Sequence, residues 1–210
     1  MSFVSMLHWN GNQMCAVDTE TTGLDAHWNE IIQICILPLT SNLEPRKDVL
    51  PFCIDMKIDC IERIDPEAMK VNKLDLATIQ LRGFDKEKAK DLLREWIVKL
   101  NLPITKAGTP CKIMPLGQNY AFDRDFIIRW LGIEMYNELF DYHYSDTMTT
   151  ANYLNDRAAM HGENTPFKKV NLSSLATFYK IDHENKHNAL SDCVCCAAVY
   201  RKMLQAGLLG

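Results

Sequence analysis

Apolar residues occur in short runs in the first part of the chain and with helical periodicity further on. In the first run, Cys15 and Val17 belong to one face of a strand and Met14 and Ala16 to the other, because side chains alternate with a period of two. This run predicts a strand buried on both faces. Further apolar runs predict strands at 30–39, 51–58 and 112–116. The short spacing of the first three strands indicates an antiparallel meander.

Helical signals begin at Asp65, where Asp-Pro-Glu supplies a cap and a proline at the first helical position. Apolar stripes then predict helices at 85–100, 122–131, 145–158, 171–180 and 188–206. The polar stretch 156–169 predicts a mobile surface loop. Strands followed by helices indicate an α/β fold, a mixed sheet covered by helices, in a single domain over 1–210.

Composition narrows the class of protein. A chain of 210 residues with 47% hydrophobic content can bury a sizeable core. The sequence has no signal peptide and no twenty-residue apolar span, so we expect a cytoplasmic protein with no membrane partner. Its eight cysteines are scattered, which favours reduced thiols. A formal charge of −4 is unlike the basic excess of a non-specific nucleic-acid coat.

The predicted first strand ends in two carboxylates that share a face, Asp18 and Glu20. Like charges about 5 Å apart repel by roughly 3 kcal/mol at an effective dielectric of 20. A cation is therefore expected beside them, near the carboxyl ends of the central strands.

Three more residues could complete this site. Asp123 opens a predicted helix at the edge of its buried face, and Asp192 heads the apolar stripe of the last helix. His187 precedes Asp192 by five residues. Each has a simpler explanation, since a helix N-terminus favours a carboxylate and a histidine before a helix is commonly a surface or capping residue.

Together these residues have a chemical use. Carboxylate oxygens are the ligands that Mg²⁺ and Mn²⁺ prefer. Two such ions about 4 Å apart can hold the attacking and leaving oxygens of a phosphodiester, and a histidine can take the proton from the attacking water. The set is typical of a hydrolytic phosphodiester site.

Three sequence motifs carry a resemblance to a known family. They are Asp18-Thr19-Glu20-Thr21-Thr22-Gly23, Gly117-Gln118-Asn119-Tyr120-Ala121-Phe122-Asp123, and His187-Asn188-Ala189-Leu190-Ser191-Asp192, the last reading H-x-A-x-x-D. In this order and spacing they resemble the DEDDh 3′–5′ exonucleases over about residues 14–205, a stronger signal than any motif alone.

The resemblance implies a ribonuclease H-like mixed five-stranded sheet and exonucleolytic release of nucleoside 5′-monophosphates with two Mg²⁺ or Mn²⁺ ions. It makes His187 the general base and Leu24 a wedge against the terminal bases. It also implies that the metal ligands are Asp18, Glu20, Asp123 and Asp192. The implied contacts to a single strand with a free 3′ end are Thr19, Thr21, Thr22, Leu24, Asn119, Phe122 and His187, with backbone amides at 19–22.

Two positions qualify the resemblance. Gln118 stands where the family commonly has a histidine, which leaves the contacts of that loop open. Asp146 matches a position that is usually structural.

Several alternatives stay open. The substrate is DNA or, as in an RNase T-like exoribonuclease, RNA, and a polymerase or repair partner is not excluded. The fold could instead serve as a non-catalytic nucleic-acid or polymerase-binding module. A third interpretation is a zinc site, whose ligands would be His183, His187, Cys193 and Cys196. Packing in the core explains the two cysteines better than zinc binding does. Basic residues that could follow a strand are Arg124, Arg129, Lys168, Lys169, Lys180 and Lys186.

Overall fold

The computed structural model describes residues 11–72, 74–183 and 187–207. These residues contain five strands and eight α-helices. The strands are β1 (Gln13–Thr21), β2 (Ile31–Pro38), β3 (Phe52–Asp55), β4 (Ile113–Gly117) and β5 (Ser145–Asp146). The helices are α1 (Pro66–Asn72), α2 (Leu76–Arg82), α3 (Lys86–Lys99), α4 (Tyr120–Leu131), α5 (Ile133–Leu139), α6 (Thr147–Met160), α7 (Leu172–Tyr179) and α8 (Ala189–Gly207).

The strands form one mixed sheet in the order β3-β2-β1-β4-β5. Strands β1, β2 and β3 form the predicted antiparallel meander, whereas β4 is parallel to β1 and to β5. Residues Asp18 and Glu20 of β1 face Cys35 and Gln33 of β2 in the register. The carboxyl ends of β1, β4 and β5 therefore meet at one edge of the sheet.

Both faces of β1 are buried, as its apolar pattern predicts. Cys15 and Val17 pack in the core that includes Trp96 of α3 and Phe126 of α4. Met14 and its neighbour on the same face pack against α8. Because Asp18 and Glu20 continue that second face, the packing of α8 against it also brings the start of α8 over the end of β1.

The structure corrects three predictions. Residues 145–158 are not all helical, because 145–146 form the short strand β5 before α6 begins. Helices α2 and α5 were not foreseen, since seven residues are too few for a clear helical period. The predicted loop at 156–169 is helical up to Met160, and its later part is held by Asn155, whose side chain bonds both backbone groups of the buried Phe167 at 2.9 Å.

Among the described residues, no helix has both the length and the apolar character needed to cross a lipid bilayer.

Candidate active site

The two parallel strands β1 and β4 deliver the first three acids to one sheet edge. Asp18 and Glu20 lie near the C-terminal end of β1. Asp123 lies in the first turn of α4, which follows β4. The turn between β4 and α4 needs a glycine at Gly117, since an added Cβ would lie 2.8 Å from the Cβ of Tyr120. A helix N-terminus favours a negative charge such as that of Asp123.

Asp123 is buried and is bound by β1. The backbone amide of Thr19 donates to its Oδ1 at 2.9 Å, and the Thr19 hydroxyl donates to the same oxygen at 2.7 Å. These two hydrogen bonds join the start of α4 to the end of β1. They fix the position of the Asp123 carboxylate relative to the strand that carries Asp18 and Glu20.

Asp192 arrives from α8, whose start is anchored on the sheet. The side chain of Gln33 accepts a hydrogen bond from the backbone amide of Ala189 at 2.9 Å, across 156 residues of sequence. Gln33 also donates to Asp55 Oδ1 at 2.8 Å. Gln33 lies opposite Glu20 in the ladder, so this anchor places the first turn of α8 beside the end of β1.

His187 lies next to two of these carboxylates. One ligand atom each from Glu20, His187 and Asp192 lie within 4.8 Å of one another. The residue is exposed and has φ of 64°, a left-handed conformation that is uncommon outside glycine. An accessible imidazole at the rim of buried carboxylates suits proton transfer with a bound water.

The electrostatics of the cluster are those of crowded, buried acids. Burial raises the pKa of Glu20 to about 8, with Asp192 and Asp123 adding to the effect. Burial also raises the pKa of Asp123 to about 7, although the hydrogen bonds from Thr19 oppose it. The pKa of Asp18 is raised by burial and by the charges of Asp123, Asp192 and Glu20.

The donor set fits hard divalent cations. Among the described residues, no lysine or arginine forms an ion pair with any of the four acids. Carboxylates that repel one another and lack a cationic partner are what Mg²⁺ or Mn²⁺ would neutralise. The structure thus places ligand atoms of Glu20, His187 and Asp192 close together, and the charges of Asp18 and Asp123 act on the same acids.

Asp146 is occupied by helix capping. Its Oδ2 accepts the amide of Tyr120 at 2.7 Å, and its Oδ1 accepts the amide of Thr149 at 2.8 Å. It therefore holds the starts of α4 and α6, in keeping with the structural role that the resemblance implies. Gln118 is also structural, because it donates to the carbonyl of Val170 at 2.9 Å and accepts the Thr147 hydroxyl at 2.7 Å.

The backbone amides expected to hold the terminal nucleotide are partly engaged inside the protein. The amide of Thr19 bonds Asp123, and that of Thr22 bonds the carbonyl of Glu30 at 2.8 Å. The hydroxyl of the fully buried Thr22 donates to the carbonyl of Arg63 at 2.7 Å. Thr22 is thus a support of the loop, and its contact to substrate is not favoured by this geometry.

A pocket of about 310 Å³ opens beside Glu20. It is lined by Leu24, with 80% of its surface exposed, by the half-buried Phe122 and by residues of α1. A second groove of about 670 Å³ lies beyond Leu24 and Phe122 and extends along α4 to Arg129. The pocket residues are Thr19, Glu20, Thr21, Leu24, Asp65, Glu67, Ala68, Val71, Asn72 and Phe122.

The motif glycine Gly23 allows the loop that carries Leu24. An added Cβ would lie 2.3 Å from the side-chain carbon of Asn29. That carboxamide accepts the amide of Asp25 at 2.9 Å and donates to the carbonyl of Arg63 at 2.8 Å. The close approach of Asn29 therefore requires glycine.

The remaining predicted contacts lie on the surface. Asn119 is exposed in a left-handed conformation before α4. Arg129 donates to the carbonyl of Ala26 at 2.5 Å and lines two grooves. Lys186 lies outside the described residues. Of the other basic residues predicted to follow a strand, Lys168, Lys169 and Lys180 are exposed.

The geometry does not support the zinc reading. Cys193 and Cys196 are buried against the sheet, where the Cys193 thiol donates to the carbonyl of Cys35 at 3.6 Å. His183 instead contacts Asp192. Within the described part of the chain, no cysteine belongs to a cluster of metal-ligating groups.

Sequence reasoning did not find Gln33, which anchors the start of α8. It also did not find that His183 contacts Asp192. A polar residue in the middle of the apolar run of β2 was the one available signal for Gln33. The pattern around His183 carries no such signal.

Several solved structures that share this fold are exonucleases or other nucleases. No protein-family model matches the chain, and no curated protein does. Cell-death related nuclease 4 superposes with a TM-score of 0.71 at 13% identity, over 94% of this chain and 65% of that one. Exonuclease I from Methylocaldum szegediense gives 0.67 at 20% identity, over 93% and 40%. The zinc-bound complex of E. coli exonuclease I with single-stranded DNA gives 0.64 at 19% identity, over 94% and 40%.

The chain spans about two fifths of the length of both exonuclease I chains and about two thirds of the length of the nuclease 4 chain. At these identities the likeness concerns the fold. The chain has the mixed five-stranded, ribonuclease H-like fold of these exonucleases.

Proposed function

We propose that this chain is a metal-dependent 3′–5′ exonuclease that removes nucleoside 5′-monophosphates from the 3′ end of single-stranded nucleic acid, DNA in the first place. The observation that carries the proposal is the convergence of four acids from three segments at one sheet edge, with His187 at their rim. The shared fold with exonuclease I, which has been solved with single-stranded DNA, favours DNA.

In the proposed mechanism, Asp18, Glu20, Asp123 and Asp192 would hold two divalent ions. When bound, these ions supply positive charge at the attacking and leaving oxygens. Asp123 is kept in place by Thr19, and Asp192 by the anchored start of α8.

His187 takes the proton from the attacking water. It is exposed, so it can pass that proton to solvent. A positioned general base contributes about 10²-fold to 10⁴-fold to such a step.

The 310 Å³ pocket receives the 3′-terminal nucleoside. Its size is at the lower end of small-ligand pockets, which suits one nucleoside rather than a length of strand. The apolar side chains of Leu24 and Phe122 offer a surface for base contact, and Glu20, one of the four acids, lines the same pocket.

The direct test uses matched single-stranded DNA and RNA oligomers, labelled at the 5′ end, with Mg²⁺. The wild-type protein should produce a ladder shortened from the 3′ end, and chromatography should identify 5′-monophosphates. Asp18→Asn should lose this activity, while Asp156→Asn should keep it, because Asp156 is an exposed acid on α6 outside the pocket and groove beside the acids.

The outcomes separate the alternatives. Equal degradation by wild type and Asp18→Asn would mean a contaminating nuclease and would refute the proposal. Binding without shortening would indicate a non-catalytic module. Faster shortening of RNA would reassign the substrate to RNA.

The role of His187 is tested separately. His187→Ala should lower turnover by about 10²-fold to 10⁴-fold while Mn²⁺ binding, followed by electron paramagnetic resonance, persists. Full turnover in this variant would remove the general-base assignment.

A further inference from the structure

We propose that His183 is a positioning residue that holds the carboxylate of Asp192 toward the metal site, an inference that rests on the proposed function. His183 lies after α7, four residues before the H-x-A-x-x-D motif begins. Its Nε2 contacts Asp192 Oδ1. The two side chains are 5% and 13% exposed, so the contact lies beneath the surface.

Both oxygens of Asp192 are held. Oδ1 is bound by the His183 ring, and Oδ2 accepts the backbone amide of His187 at 3.3 Å. A carboxylate gripped at both oxygens cannot rotate freely, and this one lies where Glu20 and His187 also present ligand atoms within 4.8 Å.

The hydrogen bond to Asp192 determines which nitrogen of His183 carries a proton. An ionised carboxylate only accepts hydrogen bonds, so Nε2 carries the proton that it donates. Nδ1 is buried and has no hydrogen-bond partner among the described residues. A buried polar atom left in this way is destabilising, which is tolerated where the other end of the ring has a function.

The backbone around His183 is anchored. The amide of Ile181 donates to the carbonyl of Ala176 at 2.9 Å, which closes the C-terminal turn of α7, and Ile181 packs in the core beneath α8. The imidazole is therefore fixed with respect to α8, and through it the Asp192 carboxylate is fixed with respect to β1.

Such outer contacts set how well a ligand serves its metal. Partners that orient a metal ligand typically change metal affinity by about 10-fold to 100-fold when removed. We expect His183 to act on metal binding and turnover through Asp192, without touching the substrate.

The test measures Mn²⁺ affinity by electron paramagnetic resonance on the protein without substrate. His183→Ala should weaken binding by about 10-fold to 100-fold. His183→Gln should recover most of the affinity, because the glutamine amide can donate at the position of Nε2. In the nuclease assay, His183→Ala should lower kcat and leave KM for the oligomer unchanged.

The chain offers a matched control. His143 and Asp141 form a second histidine–aspartate pair, with 2.8 Å between Nδ1 and Oδ1, near the amino-terminal end of β4. His143→Ala should leave Mn²⁺ affinity unchanged. If it weakened Mn²⁺ binding as much as His183→Ala does, the effect would be general destabilisation and the inference would fail.

A spectroscopic measurement keeps the inference open to refutation if His183→Ala folds poorly. Long-range ¹H–¹⁵N spectra of the wild-type histidines should show a proton on Nε2 of His183. The opposite tautomer would overturn the inference. If wild-type protein fails to bind Mn²⁺ at all, the proposed function fails. Wild-type binding that His183→Ala retains in full refutes the role of His183 alone.

Discussion

Two buried glutamates ten residues apart, Glu20 and Glu30, meet opposite electrostatic surroundings. Both are nearly inaccessible, at 8% and 6% exposure. Glu30 is fully partnered: Lys86 Nζ lies 2.8 Å from one carboxylate oxygen, and Arg63 Nη1 lies 3.5 Å from the other. The amides of Asp59 and Cys60 also donate to it.

Glu20 has acids where Glu30 has bases. Its charged neighbours are Asp192 and Asp123, and among the described residues it has no ion pair with lysine or arginine. Burial raises the pKa of Glu20 to about 8. Burial acts on Glu30 in the same direction, but the hydrogen bonds from Lys86 and the two amides outweigh it and lower the pKa of Glu30.

The difference distinguishes a carboxylate whose charge is balanced within the fold from one whose charge is not. Glu30 joins the start of β2 to α3 through Lys86, and its charge is balanced within the chain. Glu20 leaves its charge unbalanced, so a divalent cation would supply what Lys86 supplies to Glu30. Functional sites commonly carry such uncompensated groups.

The largest expected effect comes from removing the charge that the site leaves unbalanced. Glu20→Gln should lower turnover by about 100-fold to 1,000-fold, the scale of losing one directly acting group. It should also raise the unfolding temperature measured in EDTA, because one repelling carboxylate is gone. Calorimetry and the oligomer assay measure the two effects, and Asp156→Asn should change neither. A variant less stable in EDTA than wild type would contradict this account.

Removing the balanced charge should affect stability instead. Glu30→Gln leaves the Lys86 ammonium with only the exposed carboxylate of Asp59, 3.9 Å away, and breaking a buried pair costs about 3–5 kcal/mol. Urea unfolding should show this loss equally with and without Mn²⁺. Rescue of Glu30→Gln by Mn²⁺ would show that Glu30 also belongs to the metal site.

The pH dependence of stability should report the raised pKa values. Since the pKa values of Glu20 and Asp123 are raised to about 8 and about 7, the folded protein binds more protons than the unfolded one from about pH 4 upward. Stability in EDTA should therefore fall as the pH rises from about 4 to about 8. Glu30 has the opposite effect. Because its pKa is lowered, it stabilises the folded protein at pH values above its unfolded pKa, and this stabilisation is lost in acid.

Urea midpoints at pH 5, 6, 7 and 8 measure this slope. Saturating Mn²⁺ should flatten or reverse it, because bound metal keeps the carboxylates ionised. Glu20→Gln should reduce the slope in EDTA. A flat profile for the wild type in EDTA would contradict the raised pKa values.

The smallest effect should come from the outer partner of Glu30. Arg63→Gln should destabilise by about 1 kcal/mol or less, since Arg63 is 33% exposed and Lys86 remains in place. It also ends the stacking of the guanidinium on Trp28, 5.8 Å from the ring centre. Thermal unfolding of this variant beside Lys86→Gln should show the larger loss for Lys86. The reverse order would place the main neutralising charge on Arg63.

Local patterns were sufficient to predict much of the fold. The alternation in β1 predicted a strand buried on both faces, and Asp-Pro-Glu predicted the start of α1 at Pro66. The stripe below Asp192, continued by Cys196 and Val199, is buried as its period predicts. These features depend on neighbours in sequence, so a single chain reveals them.

Short elements gave no such signal. Strand β5 has two residues, and α2 and α5 have seven each. A period of two or 3.6 needs more residues to be recognised, and these elements form because neighbouring strands and helices supply their partners.

The motifs of the sequence by themselves indicated the four acids and His187, because each acid lies at a strand end or a helix start. Only the tertiary structure decided how those acids are held. Asp123 depends on Thr19 across 104 residues, and the start of α8 depends on Gln33 across 156. The contact of His183 with Asp192, and the surroundings that distinguish Glu20 from Glu30, also depend on the tertiary structure. Hydrogen bonds and charge balance depend on distances in space, which no local pattern of residues encodes.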